Sequence, residues 1–317
     1  MTAIILESFK EKTQRLYEEA VKLAKEILNQ GMLRKPIDGR KISELIGRMV
    51  DRLMIEDREL INLTNRFSPK NYLWCHLTNV AILSVRVGLE LGYNKSGLVR
   101  LGVGAFLHDI GMARVLPLIE KRENLTKEEY EEVKKHPVYG AEILDKSYQI
   151  ELVVIHIAHQ QHERMNGSGY PRGIKNGDIN EYARIVGLVD AYEAMTHPRL
   201  YREKVPHSQA MKEIIERGES LFEQDIIKAL VRCLDLYPVG SWVQLNTGEI
   251  GRVVGIDKNF PLRPTITVMF DANYVPLKKM FKKLKRIELI KREQLYVKRL
   301  VDESELRGKV TSGADGI

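Results

Sequence analysis

The chain has 317 residues, of which 44% are hydrophobic, ample for a packed core, and the net charge is +7. Its two isolated cysteines, Cys75 and Cys233, exclude a disulfide framework or a cysteine-type zinc site. No apolar run is long enough to cross a bilayer and the opening residues resemble neither a signal peptide nor a basic transit sequence, so a cytoplasmic protein with reduced thiols and no membrane span is expected.

In chain order, Phe9, Leu16, Ala20, Leu23, Ile27 and Leu28 recur every three or four residues, which predicts an amphipathic helix ending at Gly31. A second helical stretch runs from about Ser43 to Leu63. Ser68-Pro69 then opens a helix with an N-cap and a proline at the first helical position. That helix carries His76 among Leu77, Val80, Leu83 and Val87 and stops near Gly92. Ser96 to Leu107 forms the next helix. Thr126-Lys127-Glu128-Glu129 reads as a capping box for a helix ending near His136-Pro137. Val138–Leu144 and Ile150–His162 are helical, Asn166-Gly167-Ser168-Gly169-Tyr170-Pro171 is a loop, and Ile179–Ala194 returns to helix. Further helices start at Ser208 and Phe222.

Near Pro238 the pattern changes. Trp242–Leu245 and Gly251–Ile256, joined by Asn246-Thr247-Gly248-Glu249, read as strand, turn, strand; Thr265–Phe270 and Ile287–Leu289 add two more. The fold class expected is mainly α: a helical bundle with N-terminal helices and a small C-terminal β-barrel of SH3-like type. The basic pairs between Lys278 and Lys309 account for the charge excess and read as a solvated tail, so nucleic acid is not expected as a partner.

The chemistry concentrates in Leu107-His108-Asp109-Ile110-Gly111. A His followed directly by an Asp cannot place both side chains on one helical face. The pair serves as two ligands only at a helix end, where Gly111 is expected to supply the turn. His76, His136, His162 and Asp190 follow at intervals of roughly 25–35 residues, about one helix plus a loop each. Imidazole and carboxylate donors without thiolate suit manganese, iron, zinc or magnesium. His156 and His159 read as packed core residues. Two metals sharing a carboxylate suit a phosphodiester, and Asp109 is the natural bridge. The residues alone leave the substrate open.

His108-Asp109 with His76 upstream and Asp190 downstream resembles the HD superfamily of phosphohydrolases. His136-Pro137, His162-Glu163-Arg164, Gly167-Ser168-Gly169-Tyr170-Pro171 and Asp190-Ala191-Tyr192-Glu193-Ala194-Met195, with Arg199 and Tyr201-Arg202, narrow the resemblance to the HD-GYP family of cyclic di-GMP phosphodiesterases. It covers about Ser68 to Leu236. The division it implies is a helical segment (1–67), an HD-GYP-like hydrolase domain (68–237) and the small barrel with its basic tail (238–317).

The resemblance implies one or two divalent metals, iron or manganese foremost, with zinc or magnesium compatible. His76, His108, Asp109 and Asp190 would surround one metal; His136 and His162 would hold a second, with Asp109 shared. Asp109 and Arg199 would be catalytic. Tyr170 would stack on a guanine and Arg199 clamp a phosphate of cyclic di-GMP. The product would be the linear dinucleotide or GMP, and GGDEF-type signalling proteins and a second copy of the chain would be partners. Three positions depart from the family: Met112 replaces a lysine, Gln161 replaces the first of two adjacent histidines, and Tyr72 stands where some members carry a glutamate. The alternative is a degenerate HD-GYP domain that binds nucleotide or protein without hydrolysis. An HD hydrolase for another nucleotide is disfavoured by the Gly-Tyr-Pro loop.

Overall fold

The computed structural model describes residues 2–55, 58–64, 72–121, 124–197, 205–218, 220–234, 236–257, 260–277, 284–303 and 305–306. It divides into two compact units, residues 1–205 with 213–230, and residues 206–212 with 231–317.

In the first unit α1 (Thr2–Met32) turns Leu16, Ala20, Ala24, Ile27 and Leu28 inward, at the predicted helical spacing. α2 (Gly39–Met54) starts earlier than expected because the Asp38 carboxylate caps it, accepting a hydrogen bond from Arg40 N. A separate short helix, α3 (Arg58–Leu63), follows. Ser68 and Pro69 lie outside the described residues. α4 (Tyr72–Glu90) and α5 (Lys95–Leu107) pack together and are buried on most of their surface, which makes them the centre of the unit. α1 and α10 (Glu181–Thr196) lie against α4, whereas α2 and α9 (Leu152–Gln160) lie against α5.

After α5 the chain makes a 3-10 turn over Ile110–Arg114 and a short α6 (Leu116–Ile119). The Thr126 capping box forms as predicted and opens α7 (Lys127–Val133). That helix does not reach His136, which instead begins α8 (His136–Asp145) with Pro137 in its first turn. Pro137 is thus a helix start and not the expected stop, because its missing N–H costs nothing there. α11 (His207–Gly218) and α12 (Gln224–Cys233) complete the helices. No helix among the described residues is long and apolar enough to cross a membrane.

The second unit holds an antiparallel sheet in the order β4-β3-β2-β1-β5. Its strands are β1 (Trp242–Leu245), β2 (Ile250–Gly255), β3 (Thr265–Phe270), β4 (Arg286–Glu288) and β5 (Val297–Val301). Val243, Val253, Ile266 and Ile287 point to its buried face. Gly248 takes the left-handed conformation that the β1–β2 turn requires (φ 92°). The expected closed barrel does not form among the described residues. β4 and β5 are the two edges of an open sheet, and β4, three residues long with Arg286 and Glu288 exposed, offers little backbone for closure. β5 lies in the stretch read as a solvated basic tail; its Val297 and Val301 are buried while Lys298 is exposed, an alternation hidden by the charges.

Candidate metal centre

Six side chains from five elements converge inside the first unit. His76 comes from the second turn of α4, and His108 and Asp109 from the end of α5. His136 opens α8, His162 lies just past α9, and Asp190 is on α10. His108 keeps helical angles (φ −55°, ψ −37°) while Asp109 leaves them (φ −105°, ψ 19°), so the neighbours can face one point. Gly111 serves this differently from the expected turn. A Cβ there would lie 1.9 Å from the carbonyl oxygen of His136, so glycine is what lets the 3-10 turn press against the start of α8.

The ligand atoms form two groups. Those of His76, His108, Asp109 and Asp190 lie within 4.8 Å of one another, as do those of Asp109, His136 and His162. Asp109 belongs to both through different oxygens. Its Oδ2 is 3.7 Å from His76 Nε2 and 3.6 Å from His108 Nε2, and its Oδ1 is 3.2 Å from His136 Nε2. His76 Nε2 is also 3.2 Å from Asp190 Oδ1, and His162 Nε2 is 3.0 Å from His136 Nε2.

Three of the imidazoles are oriented through Nδ1. His76 Nδ1 donates to Glu193 Oε2 (2.5 Å), His108 Nδ1 to the Ala105 carbonyl (2.7 Å) and His136 Nδ1 to the Val133 carbonyl (2.8 Å). Each Nε2 lone pair is then turned into the cluster, as metal ligation requires. The decisive fit is His108 Nε2, a fully buried atom with no hydrogen-bond partner among the described residues. An orphaned buried imidazole nitrogen is costly unless something ligates it, and a cation does so. Burial alone would raise the Asp109 and Asp190 carboxyls, but the imidazoles around them hold both well below the usual range. Burial and neighbouring His136 hold His162 down to about 3, so it is a neutral donor. For His76 and His108 burial disfavours the charged form, yet Glu193 and Asp109 respectively overcome it. A proton and a cation therefore compete for these nitrogens.

The ring of Tyr170 stacks on His162 with centroids 4.6 Å apart, and that of Tyr72 on His76 at 5.8 Å. Met112 is half-buried on the 3-10 turn. His156 and His159 belong to neither ligand group. Arg199, Tyr201 and Arg202 lie outside the described residues. Sequence reasoning missed two supporting carboxylates. Glu193, one turn beyond Asp190, orients His76, and the same i, i+3 spacing could have flagged it. Buried Glu163 accepts the backbone N–H groups of Arg172 (2.8 Å) and Ile174 (3.1 Å), tying down the Gly-Tyr-Pro loop beside His162.

A family model described as "HD domain" matches residues 40–226. The chain belongs to the HD domain family. A second model, "KOW domain associated with HD domain", matches residues 242–309. This HD domain protein is 29% identical over 237 residues to the cyclic di-GMP phosphodiesterase PA4108 of Pseudomonas aeruginosa, covering 74% of this chain and 57% of that one. It is 31% identical over 197 residues to the cyclic di-GMP phosphodiesterase PdeB of Borreliella burgdorferi, covering 62% and 52%. The chain thus spans about half the length of the curated relatives it matches. In fold it resembles Bd1817, an HDG"Y"P protein from Bdellovibrio bacteriovorus, with a TM-score of 0.58, 21% identity and coverage of 70% and 71%. The likeness to that solved structure is one of fold.

Proposed function

We propose that this HD domain protein is of the HD-GYP type, a metal-dependent phosphodiesterase that hydrolyses cyclic di-GMP to the linear dinucleotide or to GMP. The observation that carries the reading is the division of Asp109, with one carboxylate oxygen facing each ligand group. His76, His108, Asp109 and Asp190 would hold one divalent metal tightly, and Asp109, His136 and His162 would form a second, weaker site. Mixed imidazole and carboxylate donors suit iron or manganese, with zinc or magnesium compatible. A metal held there would supply a lowered pKa for an attacking water and offset charge on the phosphate.

The residues of the chain do the rest. Glu193 and the Ala105 and Val133 carbonyls keep the imidazoles in their ligating tautomer. Glu163 holds the Gly-Tyr-Pro loop, where Tyr170 would stack on a guanine. Arg199 would clamp a phosphate. In this reading the protein acts in the cytoplasm, as a homodimer alongside GGDEF-type signalling proteins. Residues 1–67, 68–237 and 238–317 serve as input segment, catalytic domain and accessory unit.

A second reading, a nucleotide-binding module without turnover, is favoured by Gln161 and Met112 at two positions with chemical work to do. Turnover of cyclic di-GMP by protein loaded with Mn²⁺, or with Fe²⁺ under anaerobic conditions, separates the two. Metal-dependent product that vanishes with chelator and in Asp109→Ala establishes the enzyme. Binding of cyclic di-GMP with no product from metal-loaded protein establishes the module.

A further inference from the structure

A buried chain of hydrogen bonds reaches the metal centre from α1, which precedes the residues matched by the HD domain model. The Tyr17 hydroxyl donates to Asn79 Oδ1 at 2.9 Å, and Asn79 Nδ2 donates to Glu193 Oε1 at 2.9 Å. Glu193 Oε2 in turn accepts from His76 Nδ1. Tyr17 is 5% exposed, Asn79 0%, Glu193 1% and His76 2%, so the path is closed to water along its length.

Its polarity is fixed by chemistry. An ionised carboxylate only accepts, so Asn79 must turn its NH₂ to Glu193 and its carbonyl to α1. That carbonyl then needs a donor, and the phenol of Tyr17 is the donor. Leu16, Ala20 and Ala24 already bury α1 against the unit, so the polar pair is not needed for apolar cover there; Asn79 supplies the buried Glu193 with a donor, and Tyr17 supplies one to Asn79. What a polar path adds is a defined position for the group at its end.

We propose that Tyr17 is a positioning residue for the metal centre. Its hydroxyl sets the Asn79 carboxamide, which with Glu193 aims His76 Nε2 at the ligand cluster, so the seating of α1 on α4 is felt at the metal. This rests on the reading of His76 as a ligand. Cys75, the neighbour of His76 on α4, carries a free thiol and is no member of this path.

The test is Mn²⁺ affinity of the full chain, read from the electron paramagnetic resonance signal of free Mn²⁺, with the Co²⁺ absorption spectrum reporting ligand geometry. Glu193→Gln is expected to weaken Mn²⁺ binding about 10-fold and Tyr17→Phe about threefold, the larger loss belonging to the residue that touches the ligand. Tyr17→Phe in the Glu193→Gln background is expected to add nothing, because the chain is already cut. Asn79→Ala, which cuts it from a different helix, should match or exceed Tyr17→Phe, and Cys75→Ala should leave Mn²⁺ affinity unchanged. Wild-type affinity and an unchanged Co²⁺ spectrum in Tyr17→Phe would overturn the proposal, as would full multiplication of its effect with that of Glu193→Gln. A wild-type chain that takes up no Mn²⁺ would sink the metal-centre reading itself, whatever its behaviour toward cyclic di-GMP.

Discussion

Gln161 Nε2 donates a hydrogen bond to Asp109 Oδ1 at 2.9 Å, on the same oxygen that faces His136. The glutamine is fully buried, and its Oε1 has no hydrogen-bond partner among the described residues. The amide therefore engages the carboxylate oxygen that a second metal would use and presents an N–H where an imidazole lone pair would stand. The first ligand group, on the Oδ2 side, is untouched.

Gln161→His is accordingly expected to raise bound metal from about one equivalent per chain to about two, since imidazole is the better donor. Elemental analysis of metal-loaded, gel-filtered protein checks this. Two tightly bound equivalents in the wild type would show that the glutamine does not impair the second site.

Gly111→Ala tests the contact between the 3-10 turn and α8. The added methyl would fall 1.9 Å from the His136 carbonyl oxygen and 2.5 Å from Gly140 N, both backbone atoms that cannot swing aside. A loss of about 3 kcal/mol is expected, at the upper end for overpacking, with weaker metal binding because His136 moves with its helix. Denaturant unfolding measures the first and chelator competition the second.

Removing the Glu163 carboxylate leaves the N–H groups of Arg172 and Ile174 without their acceptor. Glu163→Ala should loosen the Gly-Tyr-Pro loop and cost about 1–3 kcal/mol of stability. Metal stoichiometry should stay the same, because Glu163 is in neither ligand group. Faster hydrogen exchange confined to residues 166–174 is the readout.

At the start of α7, the Glu129 carboxyl is held below its ordinary value by the Thr126 backbone N–H, with Lys121 assisting. A depressed carboxyl stabilises the fold above its ordinary pKa, and that contribution fades as pH falls through the lowered one. Carboxyl ¹³C titration should place Glu129 below a free glutamate. Exchanging Lys121 for Met should move it part of the way back while the capping hydrogen bond remains.

Much of this protein was legible in the chain itself. Helical periodicity marks α1, Thr126 marks the start of α7, and the ordered series His76, His108-Asp109, His136, His162 and Asp190 contains the six residues that the fold brings into two overlapping groups able to hold a metal. Those signals are local or depend on residue type, so one dimension suffices to show them. Glu193 is one turn from Asp190 and so partly legible, whereas Asn79 and Tyr17 are not legible as parts of the centre, because each is ordinary on its own helix and acquires its role only when α1, α4 and α10 meet. Gly111 suggests backbone freedom in the sequence, whereas its need is the 1.9 Å approach of another element, and the charges of β5 mask its two buried valines. Sequence by itself determined which donors exist. Tertiary packing decided which oxygen of Asp109 faces which group, since that depends on distances between elements far apart in the chain.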